Sequence, residues 1–214
     1  MRVVVTRPRG QEAELVRGLV ALRHEVVHCP LLEIEPLGDE PIDVSGYDWV
    51  IVTSVNGALE LRRRSVGTPA RVAAIGQATA DAFGGADLVP AVSTQEGLLA
   101  ELPRPAGRVL FAGAEGARRL LVDELGADFV ALYRTRELTP QAAPEGDLVV
   151  LASPSAARAF GRLGGDIPAV SIGPLTSEAA REAGIEVVRE AATHDVAGLL
   201  AAVGWLTGNA RTSG

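Results

Sequence analysis

Hydrophobic positions along the chain follow two alternating patterns, and the alternation occurs twice. Trp49 to Val52 and Leu148 to Leu151 are runs without a polar residue. Each closes on a hydroxyl, at Thr53-Ser54 and at Ser153, and passes into apolar residues at helical spacing up to Leu61 and Phe160. A short, continuous run rich in Val, Ile and Leu reads as a parallel strand covered on both faces, and the spacing after it reads as a helix. The hydroxyl residue then lies at the carboxyl end of a strand. Open α/β sheets take ligands there, where the first free amides of the next helix face an anion.

The two copies align over long stretches. Trp49–Leu61 (WVIVTSVNGALEL) answers Leu148–Phe160 (LVVLASPSAARAF), and Ala74–Ala82 (AIGQATADA) answers Ser171–Ala179 (SIGPLTSEA). Ser54 thus matches Ser153, Gly76 matches Gly173, and Thr79 matches Thr176. The match continues through GADLV and GIEVV, then EGLLAEL and AGLLAAV, while RVLFA and DFVALY answer the opening RVVVT and EVVHCP. A unit this long is a duplicated supersecondary block rather than a solenoid period.

The order of the blocks implies a circular permutation. Two strand-helix units from the amino end would join three from the carboxyl end, and five would lie between them. This predicts an outer lobe of residues 1–30 plus 147–204, an inner lobe of 41–133, interlobe linkers 31–40 and 134–146, and a flexible tail 205–214. The expected fold is α/β, with two doubly wound, flavodoxin-like parallel-sheet lobes joined by a two-stranded linker and facing across a cleft. Two sequential lobes divided near Gly107 are the alternative; the permuted order needs only short internal connections. Locally, a helix is predicted from about Gln11 to Leu22 with Leu15, Val16, Leu19 and Val20 on its buried face. Short strands are predicted at Val72–Ile75 and Asp87–Val89, and a helix near Gly97–Leu102.

Composition narrows the chemistry. All 20 basic residues are arginine, so Schiff-base chemistry, a P-loop lysine and a lysine general base are excluded. Cys29 is the single cysteine, and His24, His28 and His194 are the only histidines, which offers neither an internal disulfide nor a metal cluster. The net charge of −7 argues against a nucleic-acid partner while leaving room for a small anion held by amides and a few arginines. No apolar run reaches the length of a membrane span, and the opening MRVVVTRPRG lacks a signal-peptide core. A cytoplasmic, monomeric protein without a membrane partner is expected. No dinucleotide, P-loop or esterase motif is present.

The candidate residues are hydroxyls and arginines near predicted strand ends. The serines and threonines of the repeat also fit plain helix caps. Arg7 follows the first strand and reads equally as a solvated turn residue. Arg118 and Arg119 open a helix, one toward the cleft and one toward solvent. Tyr133 closes the last inner-lobe strand and is a candidate proton donor, or else a packing aromatic. A Ser153–His194 catalytic pair lacks a supporting motif.

In order and spacing, VVVTRP, WVIVTSVNGA, VAAIGQATADAF, ALYRT, LVVLASPSAARAF and VSIGPLTSEAAREAG resemble the uroporphyrinogen-III synthase family over essentially the whole chain. That resemblance implies two α/β lobes on a two-stranded linker. It also implies a cofactor-independent lyase that cyclises the linear tetrapyrrole hydroxymethylbilane to uroporphyrinogen III, inverting ring D and releasing water. Such an enzyme would receive its substrate from hydroxymethylbilane synthase. Carried over by position, Tyr133 matches the tyrosine assigned to loss of the hydroxyl. Thr6, Arg7, Thr53, Ser54, Gly76, Thr79, Arg118, Ser153, Pro154, Ser155, Gly173 and Thr176 match substrate-binding positions. GPLTS departs from the commoner GPTTA, with Leu175 in place of a hydroxyl. Rival readings are a two-lobed small-molecule binding or sensor protein without catalysis, and a small two-lobed transferase.

Overall fold

The computed structural model describes residues 1–210. In chain order its first elements are β1 (Arg2–Val5), α1 (Ala13–Ala21), β2 (Glu25–His28), β3 (Leu32–Pro36), β4 (Ile42–Asp43), β5 (Trp49–Val52), α2 (Val55–Arg64) and β6 (Ser65–Val66). Next come β7 (Val72–Ala74), α3 (Gln77–Phe83), α4 (Gln95–Glu101), β8 (Val109–Ala114), α5 (Leu120–Leu125) and β9 (Asp128–Glu137). The remainder is β10 (Leu148–Leu151), α6 (Pro154–Gly161), β11 (Ala169–Ser171), α7 (Pro174–Glu182), β12 (Val187–Glu190) and α8 (Val196–Ala210). The chain divides into two compact units: Met1–Glu33 with the chain from Arg136 onward, and Ile34–Thr135.

The first unit holds a five-stranded sheet ordered β12-β11-β10-β1-β2, with every neighbouring pair parallel. Counted from β1, this is the flavodoxin-like order 2-1-3-4-5. Alternate side chains enter two cores. Val4, Val149 and Leu151 pack with Ala156, Phe160, Ala179 and Ala180 of α6 and α7, while Val3, Val5, Leu148 and Val150 pack with Leu15, Leu19, Leu199 and Val203 of α1 and α8. Both faces are covered, so the strand runs need no polar alternation.

The second unit repeats the plan with the order β3-β9-β8-β5-β7. Strands β9, β8, β5 and β7 are mutually parallel neighbours. One core joins Val50, Val52, Leu110 and Ala112 to α2 and α3; the other joins Trp49, Ile51, Val109 and Phe111 to α4 and α5, where Phe129 meets Phe111 edge-on at 5.3 Å.

Several local expectations are corrected. The strand expected at Asp87–Val89 is reduced to one bridge between Leu88 and Ala73. Stretch 31–40, expected as one strand of the two-stranded linker, contains β3 at the edge of the sheet, and the boundary between the two units falls inside it. There Leu37 N–H bonds Leu132 and Leu138 N–H bonds Leu31, which sets β3 antiparallel to β9. Strand β9 runs on to Glu137, and Arg134–Glu35 at 2.7 Å and Arg136–Glu33 pair across it. The β4–β6 ribbon is new, and beside it buried Arg64 donates to the carbonyls of Leu37 and Glu40. Helix α1 starts at Ala13 and buries Leu15 and Leu19, while Val20 is 55% exposed, because a helix laid on a sheet presents only one stripe to it. Residues 205–210, expected to be flexible, continue α8; the rest of the expected tail, 211–214, lies outside the described residues.

Candidate functional site

In Ile34–Thr135, Ser54 lies between the end of β5 and the start of α2. Its backbone is extended and its Oγ accepts the N–H of Gly57 at 3.0 Å, so the serine caps α2. The same Oγ is 2.9 Å from the hydroxyl of Tyr133, which β9 brings alongside. Tyr133 is buried among Val50, Val52, Ala58 and Leu132 and also lines a cavity of about 190 Å³ with Ile34, Pro36, Asn56, Leu59, Glu60 and Arg63. A Cβ at Gly57 would stand 3.0 Å from Ser54 Oγ, a tight approach, and 3.7 Å from Tyr133 Cε1, an ordinary contact. Hydrogen bonds that Arg63 donates to the Glu60 and Asp39 carboxylates raise its pKa, which keeps a fixed positive charge in the cavity wall.

The second predicted helix start of this unit has Gly76 as cap of α3, with Thr79 in the first turn. Thr79 is buried, and its N–H bonds the Gly76 carbonyl at 3.0 Å. The other unit reproduces this at Gly173 and Thr176, again with a 3.0 Å bond. The two threonines are therefore not caps; glycines hold that position, and neither helix has a side-chain cap bond. Ser93 approaches the Cβ position of Gly76 at 3.3 Å, and His194 approaches that of Gly173 at 2.8 Å. Each precedes a helix cap, Thr94 or Asp195. His194 thus sits against the start of α7.

Ser153 caps α6 by accepting the Ala156 N–H at 3.2 Å, with Pro154 in the first turn. Its hydroxyl also meets Ser155 Oγ at 3.2 Å. Thr53 is half-buried just before the Ser54 cap. Thr6 is fully buried, and its hydroxyl donates to the Val150 carbonyl, tying β1 to β10. Burial lowers the pKa of Arg7, and Glu14 and Glu12 oppose the shift; the Arg7 carbonyl bonds His28 Nε2 at 2.9 Å. Arg118 forms an exposed ion pair with Glu96 at 2.6 Å, which joins it to α4 rather than to the Ser54–Tyr133 pair. Arg119 stacks over Phe129 at 3.6 Å. A cavity of about 350 Å³ lined by Arg158, Gly161, Arg162 and Glu182 contains none of the predicted residues. No group of three or more potential metal-ligating side chains, and no helix long and apolar enough to cross a membrane, occurs among the described residues.

Two flavodoxin-like sheets of one design, each with capped helix starts at its strand ends, define a duplicated α/β protein with strand ends of the ligand-binding type. The chain belongs to the uroporphyrinogen-III synthase family: residues 13–201 match the family described as HEM4, uroporphyrinogen-III synthase HemD. It is 32% identical over 211 residues to a provisionally named uroporphyrinogen-III synthase of Archaeoglobus fulgidus, covering 86% of this chain and 90% of that one. A second provisionally named synthase, from Methanocaldococcus jannaschii, is 28% identical over 152 residues, covering 64% of this chain and 63% of the relative. The fold is similar to a crystal structure of a mutant uroporphyrinogen III synthase from the extremely thermophilic bacterium Thermus thermophilus, with TM-score 0.64 and 18% identity, covering 99% of this chain and 98% of that one.

Proposed function

We propose that the protein cyclises hydroxymethylbilane to uroporphyrinogen III, inverting ring D and releasing one molecule of water, as a carbon–oxygen lyase without a cofactor. Family membership points to the reaction. The observation that carries the site is the 2.9 Å contact between Tyr133 and the cap serine Ser54 beside a cavity at the end of β5.

The substrate is reactive by itself, so the protein's task is to hold a flexible polycarboxylate in one shape and to assist departure of a hydroxyl. Carboxylates of the substrate fit the free amides at the starts of α2 and α3, beside the Ser54–Tyr133 pair and Gly76. This accounts for anion binding in a chain with no lysine. Tyr133 donates its phenolic proton to the departing hydroxyl, whose C–O bonding electrons leave with the oxygen as water. The cation left behind is delocalised into a pyrrole ring. The proton lost when the closed ring regains aromaticity returns to the phenolate and balances the step. The same reading makes the enzyme a cytoplasmic monomer that receives its substrate from hydroxymethylbilane synthase.

The test generates hydroxymethylbilane with its deaminase in the presence of this protein, oxidises the products and separates uroporphyrins I and III by chromatography. Isomer III is expected to predominate; isomer I alone, from folded protein, overturns the proposal and favours a binding protein. Tyr133→Phe is expected to lower kcat by about 100-fold with the fold intact, within the usual range for a proton donor. Unchanged kcat removes Tyr133 from that role.

A further inference from the structure

We propose that Ser54 is a positioning residue for Tyr133: while capping α2, its hydroxyl fixes the phenol and donates a hydrogen bond to the phenolic oxygen as the proton leaves. This rests on Tyr133 being the proton donor. A serine hydroxyl has one proton and two lone pairs. One lone pair of Ser54 accepts the Gly57 N–H, and the side facing Tyr133 at 2.9 Å remains for the phenol. A neutral phenol can donate or accept there, whereas a phenolate can only accept. Departure of the phenolic proton therefore turns the Ser54 O–H toward Tyr133, and the first turn of the ten-residue α2 adds partial positive charge behind it.

The internal duplication separates this role from capping. Ser153 makes the same cap bond in the other unit, but there Ala156 replaces Gly57, and both tyrosines of the chain, Tyr47 and Tyr133, belong to Ile34–Thr135. A serine cap is thus common to both copies. Between these two matched caps, a phenol reaches the serine only at Ser54, where Tyr133 approaches to 2.9 Å.

The experiment compares Ser54→Ala, Ser54→Asp and Ser54→Thr with Thr94→Ala, a change that removes the side-chain cap of α4 outside the site. Aspartate keeps a cap acceptor and lacks the donor, whereas threonine keeps both. Ser54→Ala and Ser54→Asp are expected to lower kcat about tenfold or more, the size of one hydrogen bond to a charged oxygen, with KM nearly constant. Ser54→Thr should restore most of the rate, and Thr94→Ala should lower only the melting temperature. In a Tyr47→Phe background a single tyrosine remains, so its ¹³Cζ resonance reports the bond independently of turnover. That resonance should move in Ser54→Ala and stay nearly in place in Ser54→Thr. Full activity in Ser54→Asp, a purely thermal effect of Ser54→Ala, or an unmoved ¹³Cζ resonance overturns the proposal. Failure of the proton-donor role itself shows separately, as unchanged kcat in Tyr133→Phe.

Discussion

Replacing Gly97 and Gly57 by alanine gives opposite outcomes from chemically identical changes. Both glycines are third in their helices, and both donate their N–H to a cap side chain at 3.0 Å. Alanine should stabilise each helix by up to about 1 kcal/mol. At Gly97, however, the new Cβ would lie 2.0 Å from the carbonyl oxygen of Val92, a backbone atom that cannot give way without moving the turn before α4. Overpacking of this kind costs about 1–3 kcal/mol, and displacing the turn also endangers the Thr94 cap, worth about 1 kcal/mol. The net effect is a loss of about 1–3 kcal/mol, or roughly 2–4 °C in melting temperature per kcal/mol for a chain of this size. At Gly57 the nearest atom is Ser54 Oγ at 3.0 Å, which can yield by a few tenths of an ångström. Gly57→Ala should therefore melt within about 1 kcal/mol of the parent, but with the Ser54–Tyr133 contact disturbed and kcat reduced. Denaturant unfolding followed by far-UV circular dichroism, with the isomer assay on both variants, tests this. Gly97→Ala at least as stable as Gly57→Ala would refute the steric reasoning.

Two other groups give further tests. His24 is buried, neither ring nitrogen has a hydrogen-bond partner among the described residues, and burial followed by the nearby amino terminus lowers its pKa. Its neutral form favours the fold, so stability should be full above the unfolded value near 6.5 and decline as the pH falls below it. His24→Gln should flatten that decline; equal pH dependence in parent and variant would remove His24 as its source. Burial raises the pKa of the Cys29 thiol, so iodoacetamide should alkylate it more slowly at pH 8 in native than in urea-unfolded protein. Equal rates would contradict that environment.

The sequence by itself determined the units of construction. Runs such as Trp49–Val52 and Leu148–Leu151 read as covered strands because they are short, rich in Val, Ile and Leu and without a wet face, and both are wholly buried. Ser54 and Ser153 were legible as residues at strand ends because capping is a local bond, and the repeat placed them in pairs. Tertiary structure decided which partners those residues take. A one-residue change of register turns a strand side chain to the other face, and apolar periodicity does not fix register between distant strands. The bond from Thr6 to the Val150 carbonyl and the pairing of Arg118 with Glu96 are partners of this kind, which no local pattern names. Stretch 31–40 read as one strand of a two-stranded linker because its prolines, glycine and acidic residues lack a covered-strand pattern; an edge strand needs none, and which strand it pairs with, the end of β9, was decided by the tertiary structure. The approach of Tyr133 to Ser54 within 2.9 Å across a separation of 79 residues follows from the packing of β9, β8, β5 and α2 together, and no local signal encodes it.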